Sequence, residues 1–190
     1  MSMKLTCLRP LIRMTSLAAL VVATASCGDV VRSSRSPVML IVNSLTAGSA
    51  NTFNSDVITA SGSVFDDLAT ASLTVIPKNT TAPTSSNNDV TITRYRVEYS
   101  RTDGRNREGV DVPYSFDGAA TITIPAGVTN SVVFEAVRHV AKKETPLVQL
   151  ITDINVISTI AKVTFYGQDQ VGNELSATGS ILINFLNLGD

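Results

Sequence analysis

ISTIAKVTFYGQDQVGNELSATGSILINFL, residues 157–186, holds two strand-length segments around the turn Asp169-Gln170-Val171-Gly172-Asn173. In the second segment Ala177, Gly179, Ile181, Ile183 and Phe185 alternate with Thr178, Ser180, Leu182 and Asn184. A period of two puts one set on each face of a pleated strand, so the stretch reads as a β-hairpin with one face turned to a core. Asp, Gly and Asn are the residues that a tight turn selects for backbone reasons.

The same alternation recurs upstream. Tyr95, Val97 and Tyr99 point one way while Arg94, Arg96, Glu98 and Ser100 point the other, which predicts a half-buried antiparallel strand. Thr102 to Gly109 is a polar turn tightened by Asp103-Gly104, with a return through Val110, Val112 and Tyr114. Ala120, Ile122 and Ile124 alternate with Thr121 and Thr123 until Pro125, and Ser131 to Val140 carries Val132, Phe134 and Ala136 on one face. Nearer the N-terminus, Val38–Leu45, Val57–Phe65 and Ala71–Ile76 read as strands, separated by polar loops at 46–55 and 78–88. One segment differs. Leu147, Leu150, Ile151 and Ile154 stand at i, i+3, i+4 and i+7 behind Thr145-Pro146, a spacing that predicts a short amphipathic helix over 146–155.

About eight strands with turn signals at regular intervals predict an all-β, antiparallel β-sandwich of about 7–9 strands with one short helix. The segment AKVTFYGQDQVGN, residues 161–173, resembles the closing hairpin of bacterial immunoglobulin-like and fibronectin-like modules, where an apolar strand runs into a D-x-x-G-N turn. That resemblance implies an immunoglobulin-like sandwich. The disulfide-and-tryptophan pin of antibody domains is absent, because the chain has no tryptophan and its only cysteines are Cys7 and Cys27.

Both cysteines lie in a leader. Lys4, Arg9 and Arg13 form a basic head, Leu17 to Ala25 an apolar run, and Thr24-Ala25-Ser26-Cys27 resembles a bacterial lipobox, in which the Cys27 sulfur is acylated and the cysteine becomes the new N-terminus. Plain secretion after Ala23-Thr24-Ala25 and retention as an anchor are the competing readings. The 13 uncharged residues from Met14 to Ser26 fall short of the about 20 that a spanning helix needs. The expected organisation is a signal peptide over 1–27, a flexible tether over 28–37 and a sandwich over 38–190. Ten flexible residues reach roughly 16–19 Å, so a lipid at Cys27 would hold the sandwich beside a membrane, on the periplasmic or outer side.

The leader carries three of the 15 basic residues and none of the 16 acidic ones, leaving 12 against 16 and a net charge of −4. A mildly acidic body lacks the electrostatic footprint of a nucleic-acid binder. His139 is the only histidine, no G-x-S-x-G elbow accompanies it, and zinc would need ligands the body does not have. The chain therefore reads as non-enzymatic, with no cofactor. Calcium is the one metal with oxygen ligands on offer, at Asp66-Asp67 and at Asp169 with Asn173 and Glu174.

Two features are candidate contacts for a partner. Arg94, Arg96, Arg101, Arg105 and Arg107 form a basic hairpin interleaved with Glu98, Asp103 and Glu108; it reads either as a salt-bridged hairpin blunting an edge strand or as a surface for an acidic partner. The stripe Leu147, Leu150, Ile151 and Ile154 reads either as a cap on the sandwich or as a docking helix. The expected role is a structural or accessory subunit of the cell envelope that binds another protein. The alternative is a glycan- or small-ligand-binding module, which calls for exposed aromatic residues near the loop ends.

Overall fold

The computed structural model describes residues 35–47 and 52–189, and the folded unit begins at Ser36. Eight strands form two sheets: β1 (Val38–Thr46), β2 (Thr52–Asp56), β3 (Asp67–Pro77), β4 (Val90–Ser100), β5 (Phe116–Ile124), β6 (Thr129–Val137), β7 (Ile157–Asp169) and β8 (Glu174–Leu186). One sheet has the order β1-β3-β6 and the other β2-β8-β7-β4-β5. This is the all-β sandwich that the alternation demands. Every strand pair is antiparallel except β2 with β8, which run parallel. Between β1 and β2 the chain therefore passes from one sheet to the other.

The inward residues are those the period of two selects. Ile181, Ile183 and Phe185 of β8, Val163 and Phe165 of β7, and Tyr95, Val97 and Tyr99 of β4 are all buried. Tyr95 is the hub of an aromatic cluster, with its ring centroid 5.4 Å from Phe134, 6.2 Å from Phe165 and 6.3 Å from Phe116. Gly118 makes room for it: a Cβ there would lie 2.2 Å from the tyrosine ring. Such aromatic pairs add about 0.5–1.5 kcal/mol each beyond the area they bury.

The D-x-x-G-N turn has a simple cause. Asp169 is buried, and its carboxylate accepts the backbone N–H groups of Val171 and Asn173 and the Asn173 amide. Gly172 supplies the positive φ of 90° that the turn needs.

Five local expectations are corrected. β2 lies inside the expected loop at 46–55, because its parallel partner β8 satisfies backbone that its polar side chains do not advertise. Val57–Phe65 is not a strand; it turns at Thr59–Ser63, where Gly62 has a φ of 77° and the Thr59 hydroxyl accepts the Ser63 N–H. Val110–Tyr114 makes only an isolated bridge, since Gly109 is left-handed and Pro113 has no N–H to give a ladder. The expected helix over 146–155 is a 3-10 helix at Leu147–Ile151, and β6 stops at Val137 so that His139–Lys142 forms a one-turn helix, α1. Asp153 ends the helical path by capping the Asn155 N–H and amide.

The connections are unequal. Residues 57–66, 101–115 and 138–156 meet at one pole of the sandwich, where β2, β4, β6 and β8 end. The chain enters β1 at the opposite pole, because Val38 pairs with Pro77 at the far end of β3. Ser36 and Pro37, the last residues of the expected tether, already belong to the fold: Ser36 is 1% exposed and the Pro37 carbonyl accepts the Lys78 N–H. Cys27 and the leader lie outside the described residues.

Candidate functional site

All five arginines of the basic hairpin have carboxylate partners. Arg94 and Arg96 each meet Asp117 of β5 at 2.8 Å, and Arg96 also meets Glu98 at 3.5 Å. Lys162 on β7 extends this network to Glu98 at 3.2 Å, holding the glutamate below the usual carboxylate range. The Arg94 guanidinium also lies 4.0 Å over the Tyr166 ring. In the loop, Arg101 and Arg105 grip Asp103 at 2.7 and 2.8 Å, and hydrogen bonds from Arg105 and then Arg101 drive that carboxyl far below its ordinary value. Arg107 reaches Asp111 at 3.8 Å. The salt-bridged reading accounts for these side chains. The edge-strand part of that reading is corrected, since β4 is internal and β5 is the edge.

The apolar stripe is divided. Leu147 and Leu150 are buried in the core, Ile151 is half-buried against it and Ile154 is 100% exposed. Three residues per turn put Leu147 and Leu150 on one face of the 3-10 helix, and Ile154 lies beyond its end, so the cap reading covers Leu147 and Leu150 and leaves Ile154 outside. A cleft of about 420 Å³ nevertheless brings the two candidate groups together, with Arg101 and Arg105 on one wall and Leu150, Asn155 and Val156 on the other.

Two polar contacts fasten α1 to β3 and to the loop before it. Lys142 is 2% exposed; its Nζ lies 2.8 Å from Asp67 Oδ2 and donates to the Asp56 carbonyl at 2.7 Å. Ser55, also buried, donates to the same Asp67 oxygen at 2.6 Å. Burial pushes the Asp67 carboxyl up, against the opposing pull of Lys142 and Ser55. Beside it, Asp66 accepts the His139 backbone N–H at 2.6 Å and meets the His139 ring Nδ1 at 2.7 Å; the backbone bond first, then the ring, holds Asp66 low despite some desolvation. The sequence offers no signal for Lys142, because its partners lie more than seventy residues upstream.

These contacts engage three of the carboxylates considered for calcium. Asp66 and Asp67 serve His139 and Lys142, and Asp169 serves its own turn. Among the described residues no three His, Cys, Asp or Glu side chains gather as a metal cage. Ser55, Asp67 and Lys142 form a hydroxyl, acid and amine in contact, yet all three hold one another inside the fold.

The long-loop pole is where apolar side chains stay outside. Of the thirteen large hydrophobic residues that are exposed among the described ones, Phe65, Val110, Tyr114, Val140, Ile154, Val156 and Leu188 sit in its loops and C-terminal tail. These seven are a majority of the exposed large hydrophobics, and exposed apolar concentration marks contact surfaces. Phe65 and Tyr114 are exposed aromatics, at 62% and 56%. Thr145 fastens two of the loops by donating to the Gly109 carbonyl.

No protein family matches this chain, and no curated protein is similar to it. Among the described residues no helix is long and apolar enough to cross a membrane.

Proposed function

We propose that this protein is an exported, lipid-anchored, non-catalytic module of the cell envelope that works by docking another protein on its long-loop pole. The observation that carries this reading is the gathering of Phe65, Val110, Tyr114, Val140, Ile154, Val156 and Leu188 at the pole opposite the chain's entry into β1. The immunoglobulin-like resemblance gains support from strand order: β1-β3-β6 corresponds to A-B-E and β8-β7-β4 to G-F-C of those sandwiches. The non-catalytic reading draws on the engagement of Ser55, Asp66, Asp67, His139 and Lys142 in holding loops.

The test is purification of the tagged protein from its native membranes in gentle detergent, with mass spectrometry of whatever migrates with it. A stoichiometric companion supports the reading, and recovery as a lone acylated monomer refutes it. Cys27→Ser should release the protein from the membrane fraction; retention would refute the lipid anchor. The second reading, a glycan- or small-ligand-binding module, is favoured by one observation: the exposed rings of Phe65 and Tyr114 stand at loop ends.

A further inference from the structure

Arg138 differs from the hairpin arginines. Each of those five has a carboxylate within 3.8 Å, whereas among the described residues Arg138 makes no ion pair. Its guanidinium instead lies 4.1 Å over the ring of Phe116, at the wall of a cleft of about 110 Å³. Glu144 lines the same cleft, and its carboxylate makes no ion pair or hydrogen bond among the described residues. Tyr114 forms a third wall. Its ring is backed by Gly109, where a Cβ would lie 2.3 Å from the phenol oxygen.

We propose that this cleft binds one pyranose ring of a neutral sugar. The 56% exposed Tyr114 ring offers a flat apolar surface for the C–H face of a sugar. Arg138 supplies hydrogen-bond donors and Glu144 supplies acceptors, so hydroxyls on the ring edge find both kinds of partner. The two charges cancel: an acidic sugar would meet like charge at Glu144 and an amino sugar at Arg138, a repulsion that a neutral ring avoids. The size sets the number of residues, since drug-sized ligands need about 300–1,000 Å³. The walls are held before any ligand arrives, by buried Phe116, by the tie from Thr145 to Gly109 and by the Lys142–Asp67 pair that fastens α1. This inference rests on the glycan-binding reading, which it narrows to one site and one ligand class, and does not depend on protein docking.

Saturation-transfer NMR of the purified protein with methyl glucoside, methyl galactoside, methyl mannoside and glucuronate tests it without any protein partner. The expected result is transfer from at least one neutral glycoside, with a Kd of about 1 mM given the few atoms in one ring. Tyr114→Ala should abolish that signal and Tyr114→Phe should keep it. Glu144→Gln, an exposed change that leaves the fold alone, should weaken binding about tenfold. No transfer from any neutral glycoside, an undiminished signal in both Tyr114→Ala and Glu144→Gln, or tighter binding of glucuronate would each overturn the proposal. Loss of protein co-purification alongside intact sugar binding would overturn the docking reading alone.

Discussion

Tyr99 of β4 donates its phenol to the backbone carbonyl of Ala136 on β6, 2.6 Å away across the interior of the sandwich. Four residues back along β4, Tyr95 accepts the Glu135 N–H at 3.1 Å. Two hydroxyls thus join neighbouring residues of one sheet to one strand of the other, in a domain with no disulfide between its sheets. Tyr99→Phe leaves the Ala136 carbonyl without this donor inside the core and should cost about 1–3 kcal/mol in urea unfolding. A cost under about 0.3 kcal/mol would show that the hydroxyl does not pin the sheets.

The Lys142–Asp67 pair should break asymmetrically. Burial already pushes Asp67 towards its neutral form, so Lys142→Met leaves a carboxyl that can take up a proton. Asp67→Asn instead leaves a buried ammonium without its counter-ion, at about 3–5 kcal/mol. Denaturant unfolding should rank Asp67→Asn as the more damaging change, with faster hydrogen exchange in 138–156. The reverse order would contradict the geometry.

Acid should weaken the hairpin turn. Desolvation raises Asp169, but hydrogen bonds from Asn173, Ser36 and Val171 outweigh it and hold the carboxyl below its ordinary value. A depressed folded pKa gives stability that is present above the unfolded value of about 3.9 and lost as pH falls through the folded one. Asp67, raised in the fold, has the opposite sign: its term is present below the unfolded value and disappears as pH rises through the folded one. Asp169→Ala should therefore flatten the acid limb of a Tm-against-pH curve. An unchanged limb would mean that the turn carboxylate titrates alike in the folded and unfolded chains.

The arginine network on the outer sheet face should matter little to stability. Arg94, Asp117 and Lys162 are all substantially exposed, and exposed pairs of this kind contribute about 0–1 kcal/mol each. Arg94→Ala should shift the urea midpoint only slightly, and less still in high salt. A loss above about 2 kcal/mol would mean that the Tyr166 contact carries packing energy.

The sequence made β7 and β8 legible to the residue, or within one, because alternation and turn chemistry agree over 157–186. It concealed β2, whose Thr-Phe-Asn-Ser-Asp composition looks like a loop and whose order comes from its partner β8. It overstated the helix because one buried turn is enough to produce the i, i+3, i+4 spacing at Leu147, Leu150 and Ile151. At the candidate site, Arg101 and Arg105 are visible as a charged hairpin, yet only geometry shows that both pair with Asp103. Lys142 and Arg138 gave no signal, since a lysine or arginine beside α1 looks like any solvated charge until Asp67 and Phe116 are brought to it.

The central claim is that the long-loop pole makes the contact. The most direct measurement compares co-purification from native membranes for three forms: the parent, a Phe65→Ser, Val140→Ser, Ile154→Ser variant, and an Arg94→Ala, Arg96→Ala variant. The expected result is a stoichiometric companion with the parent and the arginine variant, lost or reduced at least tenfold with the pole variant. A companion that stays with the pole variant, or a parent that comes out alone, would contradict the account.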